Sequence, residues 1–239
     1  MKATDQEISR RTRRSFLTGG IAAAAGFGTW YWIRNSFDDN GIPRPLRRAE
    51  EADDVFSRAL FSETRLAKTF DAADIGEARV NGKIGLDGEP NSDWKLIVEG
   101  ASPVSLDQIK ALPKVEHITQ FKCIEGWNYI MKWGGARFSD LARAHAPSGA
   151  IEKRWAGLET PDGEYYVGLD RASAMHPQTL LAYEMNGLPL TNDHGAPLRL
   201  MIPVKYGIKN LKRIGKITFS DSRPRDYWAE NGYDYDSGF

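Results

Sequence analysis

The sequence predicts an α+β domain built on a mixed sheet and preceded by an N-terminal signal or anchor helix. Many short runs of alternating apolar and polar residues predict strands, and only a few short helical runs lie between them. These runs do not alternate as regular strand–helix–strand units, which argues against a βαβ array. The 239 residues carry zero formal net charge. They are enough for one sizeable core and show no sign of a nucleic-acid-binding face.

The first 35 residues have the pattern of an export signal. Arg13 and Arg14 stand in the run TRRSFLT, and no charged residue follows until Arg34. A basic region followed by an apolar segment is typical of secretory signals, and paired arginines before Phe-Leu resemble a twin-arginine (Tat) signal. We therefore expect export to the periplasm by the Tat pathway, which transports folded proteins.

Two outcomes are open for this signal segment. The uncharged run from Phe16 to Ile33 is at the lower edge of the about 17–25 residues that span a bilayer. The aromatic residues 30–32 at its end suit a membrane interface, so the segment is predicted either to stay as an anchor or to be cleaved near Gly26 to Gly28. Residues 36–75 are then a linker, in which Arg44 to Leu66 shows helical spacing of its apolar residues.

Residues 76–239 form the predicted globular domain. Ser105 and Gln108 have the spacing of a helix capping box, and Asn186-Gly187 is a strong signal for a two-residue hairpin turn. The predicted elements after the linker helix are, in chain order, an irregular Gly- and Asp-rich segment at 69–93, a strand at 94–100, a helix at 105–113, a strand at 116–123, a helix at 137–147, strands at 154–159 and 165–169, a hairpin at 179–190, a strand at 198–204, and a basic loop with a final strand at 205–221.

The motif content argues against several enzyme classes. The chain has four histidines, but none stands in an HxxxH or HExxH arrangement, so a zinc hydrolase is not indicated. The sequence also contains no G-x-S-x-G, no Walker A motif and no G-x-G-x-x-G. Serine hydrolases, kinases and NAD-linked enzymes therefore find no support.

Cys123 is the single cysteine of the chain. It has no intrachain disulfide partner, and a free thiol is open to oxidation outside the cytoplasm. From the residues alone it could be a small buried apolar residue, a nucleophile or a metal ligand. Downstream, the His194–Arg199 bend and the basic run from Lys205 to Lys212 suit an anionic cofactor, although a solvated basic surface is the alternative.

Several segments together resemble the molybdopterin-binding domain of the sulfite oxidase superfamily. They are CIEGW, HPQTLLAYEMNGLPL, DHGAPLRLMIPVKYGIKNLKRIGKI and RPRDYW, in this order along residues 79–232. The resemblance is closest to small, Tat-exported bacterial members similar to the catalytic subunit of the periplasmic methionine-sulfoxide reductase. It implies the fold of that domain, a Mo-molybdopterin cofactor, and two-electron oxygen-atom transfer at a small oxo substrate, as sulfoxide reduction or sulfite oxidation.

The resemblance also implies roles for single residues. Cys123 would be the thiolate ligand of molybdenum, and a soft sulfur suits a thiophilic metal. His194 would lie in the pterin-binding bend, where sulfite oxidases have His and methionine-sulfoxide reductases have Asn. The other implied cofactor contacts are Arg199, then Asn210, Leu211 and Lys212 in the pterin-phosphate loop, and upstream Asn81, Ile84, Gly85 and Thr160.

The electron partner implied by this resemblance lies outside the chain. The sequence has no C-x-x-C-H haem site and no cysteines for an iron–sulfur cluster. A separate haem-containing membrane subunit or a cytochrome c is therefore expected. Two alternatives keep the fold without this reaction: a non-catalytic cofactor-binding or carrier protein, and a cofactor-free periplasmic binding module with a structural Cys123. Metal analysis distinguishes the cofactor-free module from the other two possibilities. Redox cycling with candidate substrates distinguishes the oxidoreductase from the non-catalytic cofactor-binding protein.

Overall fold

The computed structural model describes residues 5–39, 41–62, 64–88 and 93–238. The chain divides into two compact units, Met1–Glu51 and Ala52–Phe239. The first unit contains helix α1 (Asp5–Arg34), the antiparallel pair β1 (Asp38–Asp39) and β2 (Ile42–Pro43), and the start of helix α2 (Arg44–Leu60). Helix α2 lies in the segment predicted to be helical, Arg44 to Leu66, and ends six residues before the predicted limit.

Helix α1 covers the segment that the sequence assigned to a signal or an anchor. Its large apolar side chains Phe16, Ile21, Phe27 and Trp32 are exposed. Within the described ranges, no helix is both long enough and apolar enough to cross a membrane.

The second unit carries the remaining elements. They are, after the end of α2 and in chain order, β3 (Lys95–Val98), β4 (Val104–Ser105), α3 (Leu106–Lys110), β5 (Lys114–Lys122), β6 (Asn128–Arg137), α4 (Phe138–His145), β7 (Trp155–Glu159), β8 (Tyr166–Asp170), α5 (Arg171–Ala174), β9 (Leu180–Met185), β10 (Leu188–Pro189), β11 (Arg199–Met201), β12 (Lys216–Ser220) and α6 (Tyr227–Glu230). Three 3-10 turns lie at Ala72–Asp74, Asn192–His194 and Gly207–Lys209.

In the described part of this unit the strands form two five-stranded sheets. The first has the order β10-β9-β6-β5, with β11 also paired to β9, and all its pairs are antiparallel. The second has the order β4-β3-β12-β7-β8, in which β3 and β12 run parallel and the other pairs antiparallel. The predicted mixed α+β architecture is therefore confirmed.

The first sheet is apolar on both faces. Successive side chains of a strand point to opposite faces, and in β9 Leu181 and Tyr183 join the main core while Leu180 and Ala182 join a second cluster. The main core also contains Leu96 and Ile217 of the second sheet. The second cluster carries the functional site, because Cys123 packs against it.

Local signals in the sequence gave correct elements where they were strong. The Ser105 hydroxyl accepts a bond from the Gln108 amide at 3.2 Å, and the Gln108 side chain accepts one from the Ser105 amide at 2.8 Å, which completes the predicted capping box. Asn186 and Gly187 have φ values of 53° and 80°. Positive φ at both positions is what a type I′ hairpin turn requires.

Strand β6 is the longest element that the sequence analysis did not predict. It is the longest described strand and lies between β5 and β9 in the middle of its sheet. Gly134 and Gly135 weaken its strand pattern, yet the structure needs them. A Cβ on Gly135 would lie 2.2 Å from the Leu181 carbonyl oxygen, and the pairing register shifts at this point. The alternation of Tyr129, Met131 and Trp133 was the available signal.

Candidate functional site

A cleft of about 150 Å³ opens beside the end of β5. Four stretches that are distant in the sequence form its walls: residues 79–84, residues 121–129, residues 207–212 and residues 228–233. Arg199 and Tyr165 complete the lining. The cleft therefore depends on the tertiary fold and not on any single motif.

Cys123 lies in the turn that joins β5 to β6. The Cys123 amide donates to the Trp127 carbonyl at 2.9 Å, and the Gly126 amide donates to the Cys123 carbonyl at 3.1 Å. Gly126 has φ 88°, a conformation that glycine adopts without the steric cost of a Cβ. Because the strands are paired up to Lys122 and Asn128, the turn holds the thiol at a fixed place, partly buried, in the wall of the cleft.

The surroundings of Cys123 favour the protonated thiol as long as no cation is bound. Burial raises the pKa of the thiol, and the negative charge of Glu125 raises it further. The Sγ atom lies 3.9 Å from Glu125 Oε2. A metal binds the thiolate, so binding of a metal here releases the proton.

Glu125 connects the thiol to the opposite wall. Its Oε2 atom accepts hydrogen bonds from Trp127 Nε1 at 2.7 Å and from Asn81 Nδ2 at 3.2 Å. The carboxylate is thereby fixed next to Cys123. It brings a negative charge to the part of the cleft next to the thiol.

Arg199 brings a buried positive charge to the cleft. Its side chain is 1% exposed; Nη1 donates to the His194 carbonyl at 3.0 Å, Nη2 contacts the Asn210 carbonyl at 3.4 Å, and Nε has no partner. Burial lowers the pKa of Arg199, but a guanidinium stays charged at neutral pH. Within the described residues, no carboxylate lies at ion-pair distance from it. A buried charge without a counter-ion is costly, so an anion in the cleft would stabilise it.

Lys212 ties two walls of the cleft together. Its ammonium donates to the carbonyls of Asn81 at 2.6 Å, Gly82 at 3.1 Å and Asp193 at 2.6 Å. Burial and, to a smaller extent, the charge of Arg199 lower the pKa of Lys212 to about 8. Lys212 and Arg199 together give this side of the cleft a positive potential.

The cleft brings together most of the residues that the sequence singled out. They are Asn81, Ile84, Cys123, Arg199, Asn210 and Lys212.

The other four predicted residues lie outside the cleft lining. A Cβ on Gly85 would lie 2.4 Å from Cγ2 of the buried Thr160, so these two residues pack against each other. His194 is buried and offers its carbonyl to Arg199. Leu211 belongs to the main core. Their roles as cofactor contacts stay predictions.

Aromatic side chains and one arginine complete the lining, and the sequence analysis did not single them out. Arg79 lies over the Trp127 ring, with Cζ 4.9 Å from the ring centroid. Phe121, Tyr129 and Trp127 form a stack with centroids 4.9 to 5.9 Å apart. In the sequence, these aromatic residues have the pattern of an ordinary hydrophobic core. The one signal that could have identified them is that Phe121, Trp127 and Tyr129 are close to the lone Cys123 along the chain.

Comparison with known proteins decides the family. The model of the oxidoreductase molybdopterin binding domain matches residues 83–228. The chain belongs to this family. The match confirms the resemblance that the sequence segments suggested and covers the described cleft from Ile84 to Trp228.

Relatives of the chain carry names from the same family. The putative protein-methionine-sulfoxide reductase subunit YedZ1 of Azospira oryzae is 36% identical over 134 residues, which cover 56% of this chain and 50% of the relative. The protein-methionine-sulfoxide reductase catalytic subunit MsrP of Ralstonia nicotianae is 34% identical over 162 residues, which cover 59% and 49%. The chain thus spans about half the length of these curated relatives.

One solved structure supports the fold. The sulfane dehydrogenase SoxCD from Paracoccus pantotrophus superposes with a TM-score of 0.50 and 18% identity, over 55% of this chain and 39% of that chain. At this identity the likeness concerns the fold alone.

The residues of the cleft fit the Mo-molybdopterin cofactor of the family. The cofactor supplies a molybdenum centre that exchanges two electrons and one oxygen atom. Cys123 offers a single soft ligand for that metal. The buried guanidinium of Arg199, whose Nε lacks a partner, and the ammonium of Lys212 suit the anionic phosphate of the pterin.

We expect the contribution of Lys212 to cofactor retention to fall as the pH rises above about 8. Lys212 has a lowered pKa of about 8 in the cofactor-free protein, and a bound phosphate raises it, so binding takes up a proton above that pH. The contribution of Lys212 to the affinity is then constant below about pH 8 and decreases by at most about tenfold per pH unit above it. Pterin fluorescence of protein recovered after gel filtration at pH 6.5 to 9.5 measures the retention.

Lys212→Met provides the control for this prediction. It should retain less pterin at pH 7 and should lose the additional decline above about pH 8, because the titrating group is gone. The same slope in Lys212→Met and in the unmodified protein would contradict the role of the ammonium.

Proposed function

We propose that this chain is the catalytic part of a molybdenum-dependent reductase that takes sulfoxides, above all methionine sulfoxide in polypeptides, as substrates. The observation that carries the proposal is that one cleft contains both the lone thiol of Cys123 and the buried Arg199, whose Nε has no hydrogen-bond partner. The names of the relatives, methionine-sulfoxide reductase subunits, support the choice of substrate.

The charges in the cleft support sulfoxide reduction over sulfite oxidation. Sulfite is an anion near neutral pH, and the fixed carboxylate of Glu125, 3.9 Å from the Cys123 sulfur, repels an anion there. Arg199 and Lys212 are the cations that we assign to the phosphate of the cofactor, so they do not offset this repulsion. A sulfoxide is neutral, so neither the carboxylate nor the apolar aromatic lining disfavours it.

The reaction requires electrons from another protein. A sulfoxide takes up two electrons and two protons, its S–O bond breaks, and a thioether and water are released. The chain has no haem-attachment motif and no cysteines for an iron–sulfur cluster. We therefore include in the proposal a haem-containing membrane subunit or a cytochrome as the electron donor.

Purified protein from a host that makes molybdopterin tests the proposal. Metal and pterin analysis comes first, followed by assays with a reduced viologen dye and with an oxidised electron acceptor. We expect sulfoxide-dependent oxidation of the dye and little sulfite-dependent reduction of the acceptor. Faster turnover of sulfite would overturn the assigned direction, and protein without molybdenum and pterin would favour a cofactor-free binding module.

We also propose that the chain reaches the periplasm through the Tat pathway. The double change Arg13→Lys and Arg14→Lys should block export and leave folded protein in the cytoplasm, because the Tat signal requires the arginine pair. Immunoblots of periplasmic and cytoplasmic fractions measure the distribution.

The neighbouring arginines provide a matched control for the export prediction. Arg10→Lys with Arg11→Lys makes the same chemical change at exposed positions of the same helix, and export should continue. Normal periplasmic amounts of the Arg13/Arg14 variant would show that another route is used.

A further inference from the structure

The C-terminal segment contributes two aromatic side chains to the cleft. Trp228 lies in α6 and Tyr233 follows three residues after the end of this helix, and both line the same cleft as Cys123. Their ring centroids are 5.1 Å apart and their planes are nearly perpendicular, at 82°. Tyr233 is 40% exposed, so the pair forms an aromatic corner, Trp228/Tyr233, at the open side of the cleft.

Hydrogen bonds and a buried ion pair fix the position of the aromatic corner. The Tyr233 amide donates to the Trp228 carbonyl at 2.9 Å. Asp226 caps α6 by accepting from the Ala229 amide at 3.1 Å, and its other oxygen pairs with the ammonium of Lys209 in a fully buried ion pair. Breaking a buried pair is strongly unfavourable, so α6 is rigidly attached. The rings of Trp228 and Tyr233 therefore form a preorganised wall of the cleft.

Lys209 also connects this wall to the segment that carries Asn210 and Lys212. Its neighbours in the chain, Ile208 and Asn210, line the cleft directly. The Ile208 carbonyl accepts a bond from the Tyr165 hydroxyl at 2.6 Å. The aromatic corner and the segment that carries Lys212 thus belong to one connected structure.

The chemistry of the corner suits the stem of a methionine side chain. Sulfur and its attached methyl and methylene groups make favourable contacts with aromatic rings. Free methionine sulfoxide carries an ammonium and a carboxylate. Contact with the aromatic corner would remove water from these charged groups, which is unfavourable. A methionine sulfoxide residue inside a polypeptide has neither charge, and the exposed Tyr233 lies where the adjoining peptide would pass.

We propose that Trp228 and Tyr233 determine specificity by packing on the methyl and methylene groups of a peptide-bound methionine sulfoxide. This inference rests on the proposed function. A very small sulfoxide such as dimethyl sulfoxide occupies only the position next to the metal and gains little from the corner. The preference for the peptide over the small sulfoxide should therefore depend on these two rings.

The test compares Trp228→Leu with the unmodified holoenzyme on two substrates. With a short, uncharged peptide that contains one methionine sulfoxide, KM should rise on the order of tenfold while kcat changes little, since burial of one or two methyl or methylene groups against an aromatic face is worth about that factor. With dimethyl sulfoxide, KM should stay within about twofold. Trp228→Phe should restore most of the affinity for the peptide, because it keeps an aromatic face.

Trp155→Leu is the matched control. Trp155 also makes an edge contact with a tyrosine of the C-terminal segment, Tyr235, but it does not line the cleft. It should leave both KM values unchanged at equal molybdenum content. An equal loss with both substrates in Trp228→Leu, or an unchanged KM for the peptide, would overturn the proposal.

Calorimetric binding of the corresponding methionine peptide, the reaction product, separates this inference from the proposed function. It should bind the unmodified protein on the order of tenfold more tightly than Trp228→Leu. A protein that binds the peptide through Trp228 but reduces no sulfoxide would overturn the proposed reaction and leave the aromatic corner as a peptide-binding element. Equal binding by both proteins would overturn the aromatic corner.

Discussion

Replacement of Cys123 by serine is expected to abolish turnover while the domain still folds. Among the described residues that line the cleft, the thiol is the only soft metal ligand. A hydroxyl is a poor substitute for a thiolate at a thiophilic metal. The loss should reach roughly a thousandfold or more, because a catalytic metal supplies several kcal/mol of transition-state stabilisation.

The measurements for this variant are turnover with the reduced dye, molybdenum and pterin content, and thermal unfolding. Serine has nearly the shape of cysteine, and Cys123 is only partly buried, so the free energy of unfolding should change by no more than about 1 kcal/mol. Ile124→Ala, a change at the next residue of the same turn, should keep most of the activity. Full molybdenum content together with full turnover in Cys123→Ser would rule out the ligand role.

Replacement of Arg199 by methionine should release the cofactor. The guanidinium is buried, lines the cleft and has no carboxylate partner among the described residues. Without it the anionic phosphate loses a charge-assisted hydrogen bond worth about 1.5–3 kcal/mol, which corresponds to roughly a tenfold to hundredfold loss of affinity. Pterin fluorescence and molybdenum analysis of freshly purified protein measure this loss.

Arg213→Met separates cofactor binding from stability. Arg213 is likewise buried and donates to the backbone carbonyls of Ala196, Asp87 and Gly88, but it does not line the cleft. Both variants remove a buried guanidinium that donates to backbone carbonyls, and both should destabilise the fold by about 1–3 kcal/mol. Only Arg199→Met should lose the pterin, and equal loss in both would assign Arg199 a purely structural role.

The sequence predicted the elements that carry strong local chemistry. The capping box at Ser105 and the hairpin at Asn186-Gly187 depend on neighbouring residues, so they can be inferred without the tertiary structure. Strand β6 could not be inferred in this way. Its two adjacent glycines are explained only by the close approach of the β9 backbone, which the sequence does not show. The four-residue helices α5 and α6 are too short to show a period, and each depends on an aspartate cap.

The candidate site was predictable only in part for a similar reason. Cys123 stood out as the lone cysteine, and Arg199 and Lys212 as cations in a resembled segment. Trp228 and Tyr233 could not be assigned, because their place beside Cys123 follows from the buried pairing of Asp226 with Lys209. Such a long-range contact leaves no local pattern in the sequence.

The cleft is lined by four stretches of chain, from residue 79 to residue 233, and this has a consequence for how the protein matures. A ligand that touches all four acts as a non-covalent cross-link, and it stabilises the native state by mass action because the unfolded chain cannot bind it. At a ligand concentration 100 times its dissociation constant this amounts to about 2.7 kcal/mol. The newly made chain should therefore be more easily digested by proteases than the loaded one, so that degradation itself removes molecules that have not acquired their cofactor.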